Sequence, residues 1–560
     1  MIIDARTLLE DTVVETEICI VGAGPAGITL AREFIGQNFR VCLLESGGTE
    51  PDKDTQALSE GKVIEDLTQD LSKSRCRQFA GTANAWGDHT GKKYYSVRLL
   101  PMDELDFEKR NWVPYSGWPF AKSHLDPFYE RAEYLCRLRP FSYDAEDWEN
   151  EQTPRLPLAR DRIKTTMYQF GPRNVFTHEL PDEINQSDNI TTYLNANVVE
   201  IETNDTAKTA TRLRVACLQG NKFWVAAKVF ILATGGIENP RLLLLSNKTQ
   251  TAGLGNQNDL VGKFFMEHPV LRLGKFIPLN RQIFNSAALY DLRWANNTLV
   301  MGKLTLTKEV MRRKQLLNSC LILVPKPKAY GSKAIKSLKA LLSSSRRAEL
   351  PKDAFNHLGN IISGADDIIT SIYGRVVKLP RFSYTISMGG WSHHPDNAKR
   401  FTSFEVVTAT EQPPNPDIRV TLGAERDRLG LRKIQPIHWR WSDMEINSIR
   451  QVQEIFKEEI THAKLGEFQS FIELDRETRL PQCYGGDHHM GTTRMHIDPQ
   501  QGVVDENCRV HGISNLFIAG SSVFPTGGYA NPTLTIIALA IRLADHLKQV
   551  MASKALTSLE

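Results

Sequence analysis

Residues 17–48 read "EICIVGAGPAGITLAREFIGQNFRVCLLESGG", and this stretch decides the fold. "EICIV" is an apolar run with β-branched residues, "AGITLAREFIGQ" has helical spacing, and "FRVCLLE" is a second apolar run. Together they predict strand, glycine turn, helix and strand, a βαβ unit compressed into about thirty residues. Gly22, Gly24 and Gly27 form GxGxxG with Ala23, Pro25 and Ala26 between them, directly after the strand and opening the helix. In such a turn Gly22 permits the tight bend, Gly24 lets the backbone approach a pyrophosphate, and Gly27 lets helix and strand pack closely. The helix N-terminus offers free N–H groups and partial positive charge to the phosphates. Glu45, 18 positions beyond Gly27 and followed by Ser46, is placed to accept hydrogen bonds from ribose hydroxyls. A dinucleotide site follows; the motif alone does not choose between NAD and FAD.

The chain has 560 residues with a net charge of +3, 41% hydrophobic and 24% charged residues. That length exceeds what one core supports, so at least two domains are expected. The small net charge gives no nucleic-acid footprint. Eight cysteines are scattered without CxxC pairs, several in apolar runs such as Cys19 and Cys42, where a reduced buried thiol is expected. No CxxCH appears, so no c-type haem is expected. The start lacks a basic region followed by an apolar stretch, so no signal peptide is read there, and no run is long enough to span a bilayer. A cytoplasmic, reducing location is the expectation.

Residues 50–190 are polar and irregular. Strand-like pieces return in "NITTYLNANVVEIETN", "RLRVACLQG" and "KFWVAAKVFILATGG". Between 270 and 480 alternating strands such as "RLGKFIPL", "RFSYTISMGG" and "DIRVTLGAE" are interrupted by a basic, helix-like segment. The C-terminal part predicts a short apolar strand, a glycine loop and a long final helix.

Two further motifs favour FAD. The apolar strand before Ala233-Thr234-Gly235-Gly236 is similar to the second short motif of FAD-binding two-dinucleotide-fold proteins, and "NANVVEI" resembles the strand whose valine, here Val198, meets adenine through its backbone. "HHMGTT", the "GVVDENCRVHG" hairpin, "LFIAGSS" and Asn531-Pro532 closely resemble the C-terminal segment of the glucose–methanol–choline (GMC) oxidoreductases. "GTANAWG" (81–87), "LATGGIENPRLLLLS" and "VGKFFMEHP" (261–269) extend the resemblance from residue 17 to about 548.

This resemblance implies an α/β, two-domain fold. A Rossmann-like FAD-binding domain would be assembled from residues 1–100, 190–270 and 480–560. An antiparallel-sheet substrate domain and cap would take 101–189 and 271–479. It implies FAD contacts from Gly81, Thr82, Asn84, Ala85, Trp86, Gly520, Ser521, Pro532 and Thr533, besides the residues already named. It further implies that His488, three residues before the glycine of His-x-x-Gly-Thr, is the active-site histidine and Asn531 its partner.

The chemistry is consistent with that implication. An imidazole can remove an alcohol's proton near neutral pH while hydride passes to flavin N5. Asn531 can orient the substrate oxygen, and the helix that Asn531-Pro532 opens can stabilise negative charge on the reduced ring. Read without the resemblance, Asn531-Pro532 is an ordinary helix start with Asn as cap. His489 is expected to point away from His488 and serve packing, with no metal site, because consecutive residues of an extended segment face opposite sides.

Members that bind FAD covalently carry a histidine in the segment of "GTANAWGD"; here that position is Ala85, and His89 is out of register. Non-covalent FAD is expected. His268 is read chiefly as a turn residue, with a position facing the cavity as the alternative, and His393-His394 as loop surface or pocket wall. The basic stretch Lys326–Arg347, with Ile335, Leu338, Leu341 and Leu342 at helical spacing, is read as an amphipathic helix lying on the substrate domain, with contact to anionic lipid or an acidic partner as the alternative. The expected activity is oxidation of a primary or secondary alcohol (a sugar, polyol or natural-product intermediate) to a carbonyl, with oxygen or an organic acceptor such as a quinone taking the electrons. A hydroxynitrile-lyase-like activity and a protein using flavin only structurally are the alternatives.

Overall fold

The computed structural model describes residues 1–87, 96–138, 142–159, 161–327, 333–345, 353–365, 368, 389–393, 396–472, 480 and 483–553. The βαβ unit forms as the glycine pattern requires: strand Ile18–Val21, helix Pro25–Glu33, strand Val41–Leu44. Both strands are buried along their whole length, as expected of parallel strands covered on two faces. They are the centre of a six-stranded parallel sheet. Its order is Ile2–Asp4, Ile190–Leu194, Val41–Leu44, Ile18–Val21, Val229–Leu232 and Leu516–Ile518. Gly27 shows why glycine is required at the third motif position: a Cβ there would stand 1.9 Å from the Gly22 carbonyl oxygen.

A smaller sheet of Asn197–Thr203, Ala210–Ala216, Lys222–Ala226 and Val13–Glu15 lies beside it in sequence. The second large element is a nine-stranded antiparallel sheet running Gly466–Ser470, Pro269–Pro278, Phe401–Thr410, Ser319–Pro327, Thr298–Leu306, Ile163–Pro172 and Ser96–Leu99, with Arg293–Ala295 and Tyr484–Gly485 paired at its sides. Helix Asp443–His462 covers it, setting Phe456 against Phe276 and Phe468. Its start is a capping box of Ser442 and Glu445, which ties down two of the N–H groups that a helix start leaves open.

Several elements depart from the sequence reading. Ser96–Leu99 and Tyr484–Gly485, expected with the first domain, pair instead with the nine-stranded sheet. The stretch 50–190 is less irregular than its polarity suggests, because it contains helix Lys122–Leu135, with polar residues between its buried positions, and strand Ile163–Pro172, which is largely buried. "DIRVTLGAE" contributes only Leu422–Arg426 to a two-stranded ribbon, and Phe401–Thr410 is the central strand instead. "RFSYTISM" lies outside the described residues. Of the basic stretch, Lys326 ends a sheet strand and pairs with Glu405 at 3.1 Å; the helix runs only over Lys333–Ser345 and packs chiefly against a second helix, Ala354–Ser363, rather than lying on the sheet. Among the described residues no helix is long and apolar enough to cross a membrane.

Candidate active site

A cavity of about 620 Å³ opens at the C-terminal ends of the parallel strands, where ligands bind in such sheets. At one end it is lined by the glycine turn (Gly22, Gly24, Pro25, Ala26), Glu45, Ser46 and Val198; at the other by His488, Gly520, Ser521, Asn531, Pro532 and Thr533. Gly81, Thr82, Ala85, Trp86, Ala233, Thr234 and Gly235 also line it. A Cβ added at Gly24 or at Gly235 would meet nothing within 4 Å, so bare backbone faces open space on both sides of the cavity. That cradle, with the helix start at Pro25, fits a dinucleotide phosphate group.

Two of the residues expected to touch the cofactor do not reach the cavity. Gly27 is packed under the turn for the steric reason given above. The Asn84 side chain turns inward and donates to the Phe79 and Gly81 carbonyls at 2.8 and 3.0 Å, which holds the 3-10 turn Gly81–Ala85 in shape. Glu45 differs in its role. Its carboxylate accepts from the backbone N–H groups of Ala23 (2.8 Å) and Gly47 (2.9 Å), clamping the glycine turn to the second strand. Burial pushes its carboxyl up from the usual range, while these bonds pull it down. A carboxylate has lone pairs to spare, so a ribose remains within its capacity. Trp86 lines the cavity and packs edge-on against Phe176 at 5.6 Å.

The histidines separate cleanly. Asn531 Nδ2 lies 3.1 Å from His488 Nε2, and His488 Nδ1 lies 2.9 Å from His268 Nδ1. An amide Nδ2 only donates, so His488 Nε2 is the acceptor. The neutral ring must then carry its proton on Nδ1 and donate it to His268, whose own proton is left on Nε2. The result is a directed chain from Asn531 through His488 to His268, with the basic lone pair of His488 at the cavity. Burial, and then His268, Arg98 and His489, push His488 well below the usual imidazole range. Burial likewise pushes His268 down to about 4. Asn531 is therefore not a helix cap; Pro532 takes that position, and helix Thr533–Ala552 starts behind it.

His489 faces the other way, with Nε2 3.2 Å from Gln69 Oε1 and 3.4 Å from Ser74 Oγ. Its carbonyl accepts from Ser521 Oγ at 2.7 Å. His393 closes a 3-10 turn beside buried Trp391; His89 and His394 lie outside the described residues. Among the described residues no cluster of three or more His, Cys, Asp or Glu could hold a metal ion.

The sequence reading missed three contributors. His268 is buried against His488 rather than serving only a turn. Glu267, before it, accepts from the backbone N–H groups of both His268 and His488 at 2.8 Å each, fastening the two histidine segments together. Arg75, Arg77 and Arg241 converge on Glu238 at the cavity wall, at 2.6, 3.0 and 3.1 Å. The one available signal was "MEHP", an acidic residue and a histidine between apolar neighbours.

Residues 414–540 match the family model described as GMC oxidoreductase, its C-terminal part. The chain is 24% identical over 327 residues to the fructose dehydrogenase large subunit of Gluconobacter japonicus, covering 58% of this chain and 47% of that one. It is 24% identical over 336 residues to 2-methyl-1,2-propanediol dehydrogenase of Mycolicibacterium austroafricanum, covering 59% and 49%. The chain thus spans about half the length of these curated relatives. The formate oxidase of Aspergillus oryzae superposes with a TM-score of 0.52 at 16% identity over 98% of this chain and 100% of its own, a likeness of fold.

Proposed function

We propose that the chain is a GMC oxidoreductase that oxidises the CH–OH group of a small-molecule alcohol to a carbonyl, using FAD held non-covalently in the cavity. The observation that carries this reading is the Asn531–His488 pair opening onto the same cavity as the glycine turn. Bound there, FAD supplies the acceptor for the hydride of the alcohol carbon.

The residues of the chain do the rest. His488 Nε2 takes the hydroxyl proton, and its neutral state leaves it ready to do so. The Asn531 amide moves from His488 Nε2 to the substrate oxygen and fixes the C–H bond toward the ring. The first turn of helix Thr533–Ala552, entering the cavity with Pro532 and Thr533, favours negative charge there. Gly22, Gly24 and Gly235 seat the pyrophosphate, Glu45 the ribose, and Val198 the adenine. In this reading segments 1–100, 190–270 and 480–560 hold the cofactor, apart from the two strands that join the nine-stranded sheet. The remainder shapes a substrate site for a sugar, a polyol or a natural-product alcohol. Oxygen or an organic acceptor such as a quinone takes the electrons. The described cysteines are all free, which supports a reducing, cytoplasmic setting.

The test is anaerobic mixing with alcohol substrates. The flavin absorbance is expected to bleach with one equivalent of carbonyl formed. A substrate that is turned over without ever bleaching the flavin would overturn the redox reading in favour of a lyase. Ala85, which lines the cavity where covalent members carry a histidine, offers no atom for a bond to the ring. Acid precipitation is accordingly expected to release all flavin to the supernatant, and a yellow pellet would refute non-covalent binding.

A further inference from the structure

The segment leaving the nine-stranded sheet after Pro327 carries a feature that alcohol oxidation does not use. Helices Lys333–Ser345 and Ala354–Ser363 pack on one another, and the seam between them is small and polar. Ser337, 3% exposed, receives His357 Nδ1 at 3.0 Å and the Asn360 amide at 3.2 Å on its hydroxyl. A Cβ at Gly364 would stand 2.6 Å from that of Ala334. The large apolar residues point the opposite way: Phe355 is 90% exposed, Leu358 48% and Ile362 76%. Their spacing of three and four puts them on one face of the second helix.

This is an amphipathic helix turned inside out, with its polar side toward its partner helix and its apolar stripe toward the surroundings. Single exposed apolar residues need no explanation, but a contiguous stripe marks a contact with an apolar phase. The charge pattern indicates which phase. Lys333, Lys336 and Lys339 are exposed on the first helix, and neither helix contains Asp or Glu; Asp353 precedes the second. With 13 and 10 residues the helices are too short to cross a bilayer, which takes about 20. Helices of this kind lie in the plane of a membrane interface.

We propose that the packed helices Lys333–Ser345 and Ala354–Ser363 dock the protein on an anionic lipid bilayer, with Phe355, Leu358 and Ile362 entering the acyl boundary and the three lysines meeting lipid phosphates. The inference is independent of the oxidation chemistry. The lysines supply an attraction that salt weakens, and the apolar stripe one that salt does not.

The test is co-sedimentation of the full-length holoprotein with vesicles of phosphatidylcholine alone and of phosphatidylcholine mixed equally with phosphatidylglycerol. Binding is expected to the anionic vesicles and to weaken with added salt. Phe355→Glu combined with Ile362→Glu is expected to lower partitioning at least about 100-fold, since two apolar side chains are replaced by charges that lipid phosphates repel. Lys336→Glu with Lys339→Glu is expected to lower it through charge alone, and both variants are expected to keep bound flavin and unchanged anaerobic bleaching. Absence of binding to anionic vesicles, or equal binding by the first double variant, would overturn the proposal. So would a concentration-dependent dimer that the Phe355→Glu/Ile362→Glu variant abolishes, which would assign the stripe to a second copy of this chain.

Discussion

Replacing His488 by alanine is expected to slow anaerobic flavin bleaching by about 10²–10⁴-fold, the range that a positioned general base contributes, while FAD stays bound. The two effects separate because different residues carry them. In the proposed reading the cofactor is seated by backbone at the glycine turn and at Gly235, whereas the hydroxyl proton goes to His488 Nε2, the atom that meets Asn531. A near-normal bleaching rate in the variant would remove His488 from the mechanism. The pH dependence gives a second readout. An ordinary imidazole titrates near 6.5, but burial first, and then His268, Arg98 and His489, push His488 well below that. The wild-type rate is therefore expected to stay level as pH falls through the usual histidine range and to drop only at more acidic pH. Stability follows the same groups. The folded protein keeps His268, His488 and His489 unprotonated where the unfolded chain would protonate them. The unfolded state then binds more protons, so stability is full above the ordinary imidazole value and declines as pH falls below it.

Glu411→Ala is expected to destabilise the fold by about 3–5 kcal/mol, the usual result of stripping one partner from a buried ion pair. Glu411 and Arg110 are sealed from solvent, with side chains 0% and 1% exposed. The carboxylate takes both guanidinium Nη groups and, at 3.0 Å, the backbone N–H of Asn318. Without it a guanidinium and an amide are left buried with no acceptor. The same junction fixes Asp106, which accepts from the Asn318 amide at 3.0 Å and lies against Gly528. Gly527, its neighbour, flanks His268. The measurement is a urea titration, with a lower midpoint at unchanged slope. Replacing Arg110 and Glu411 together by Met and Leu is expected to restore much of the loss, because no unpaired charge remains. An unaltered midpoint in Glu411→Ala would show the pair contributes nothing.

What the sequence reveals follows the range of the interactions that write it. The glycine turn, its flanking strands, the strand before Ala233 and the last helix are encoded by periodicity and by glycines within a few residues of one another. They stand where residues 17–48, 229–236 and 516–552 place them. Register against Gly491-Thr492 was enough to tell His488 from His489. The partners of His488 were not legible in the same way. His268 lies 220 residues away and Glu267 lies 221, and the arginines at 75 and 77 meet an acid at 238. Such contacts join connecting segments and one helix that are far apart in the chain, and they leave no local pattern. Glu45 shows a subtler limit: its position was readable, but the backbone N–H groups that hold its carboxylate belong to the folded turn.

The parallel sheet also constrains how the chain can be made. Val229–Leu232 sits between Ile18–Val21, already synthesised, and Leu516–Ile518, whose Leu516 follows its register partner Phe230 by 286 residues. At about 5–20 residues per second, the inner strand waits roughly 15–60 s on the ribosome for its neighbour to appear. For that interval an apolar β edge with free N–H and C=O groups faces solvent, a template for pairing with other nascent chains. Helix Thr533–Ala552, which packs on Pro25–Glu33, arrives later still. The half of the molecule that begins first is thus among the last to close, and its yield depends on what shields that edge during translation.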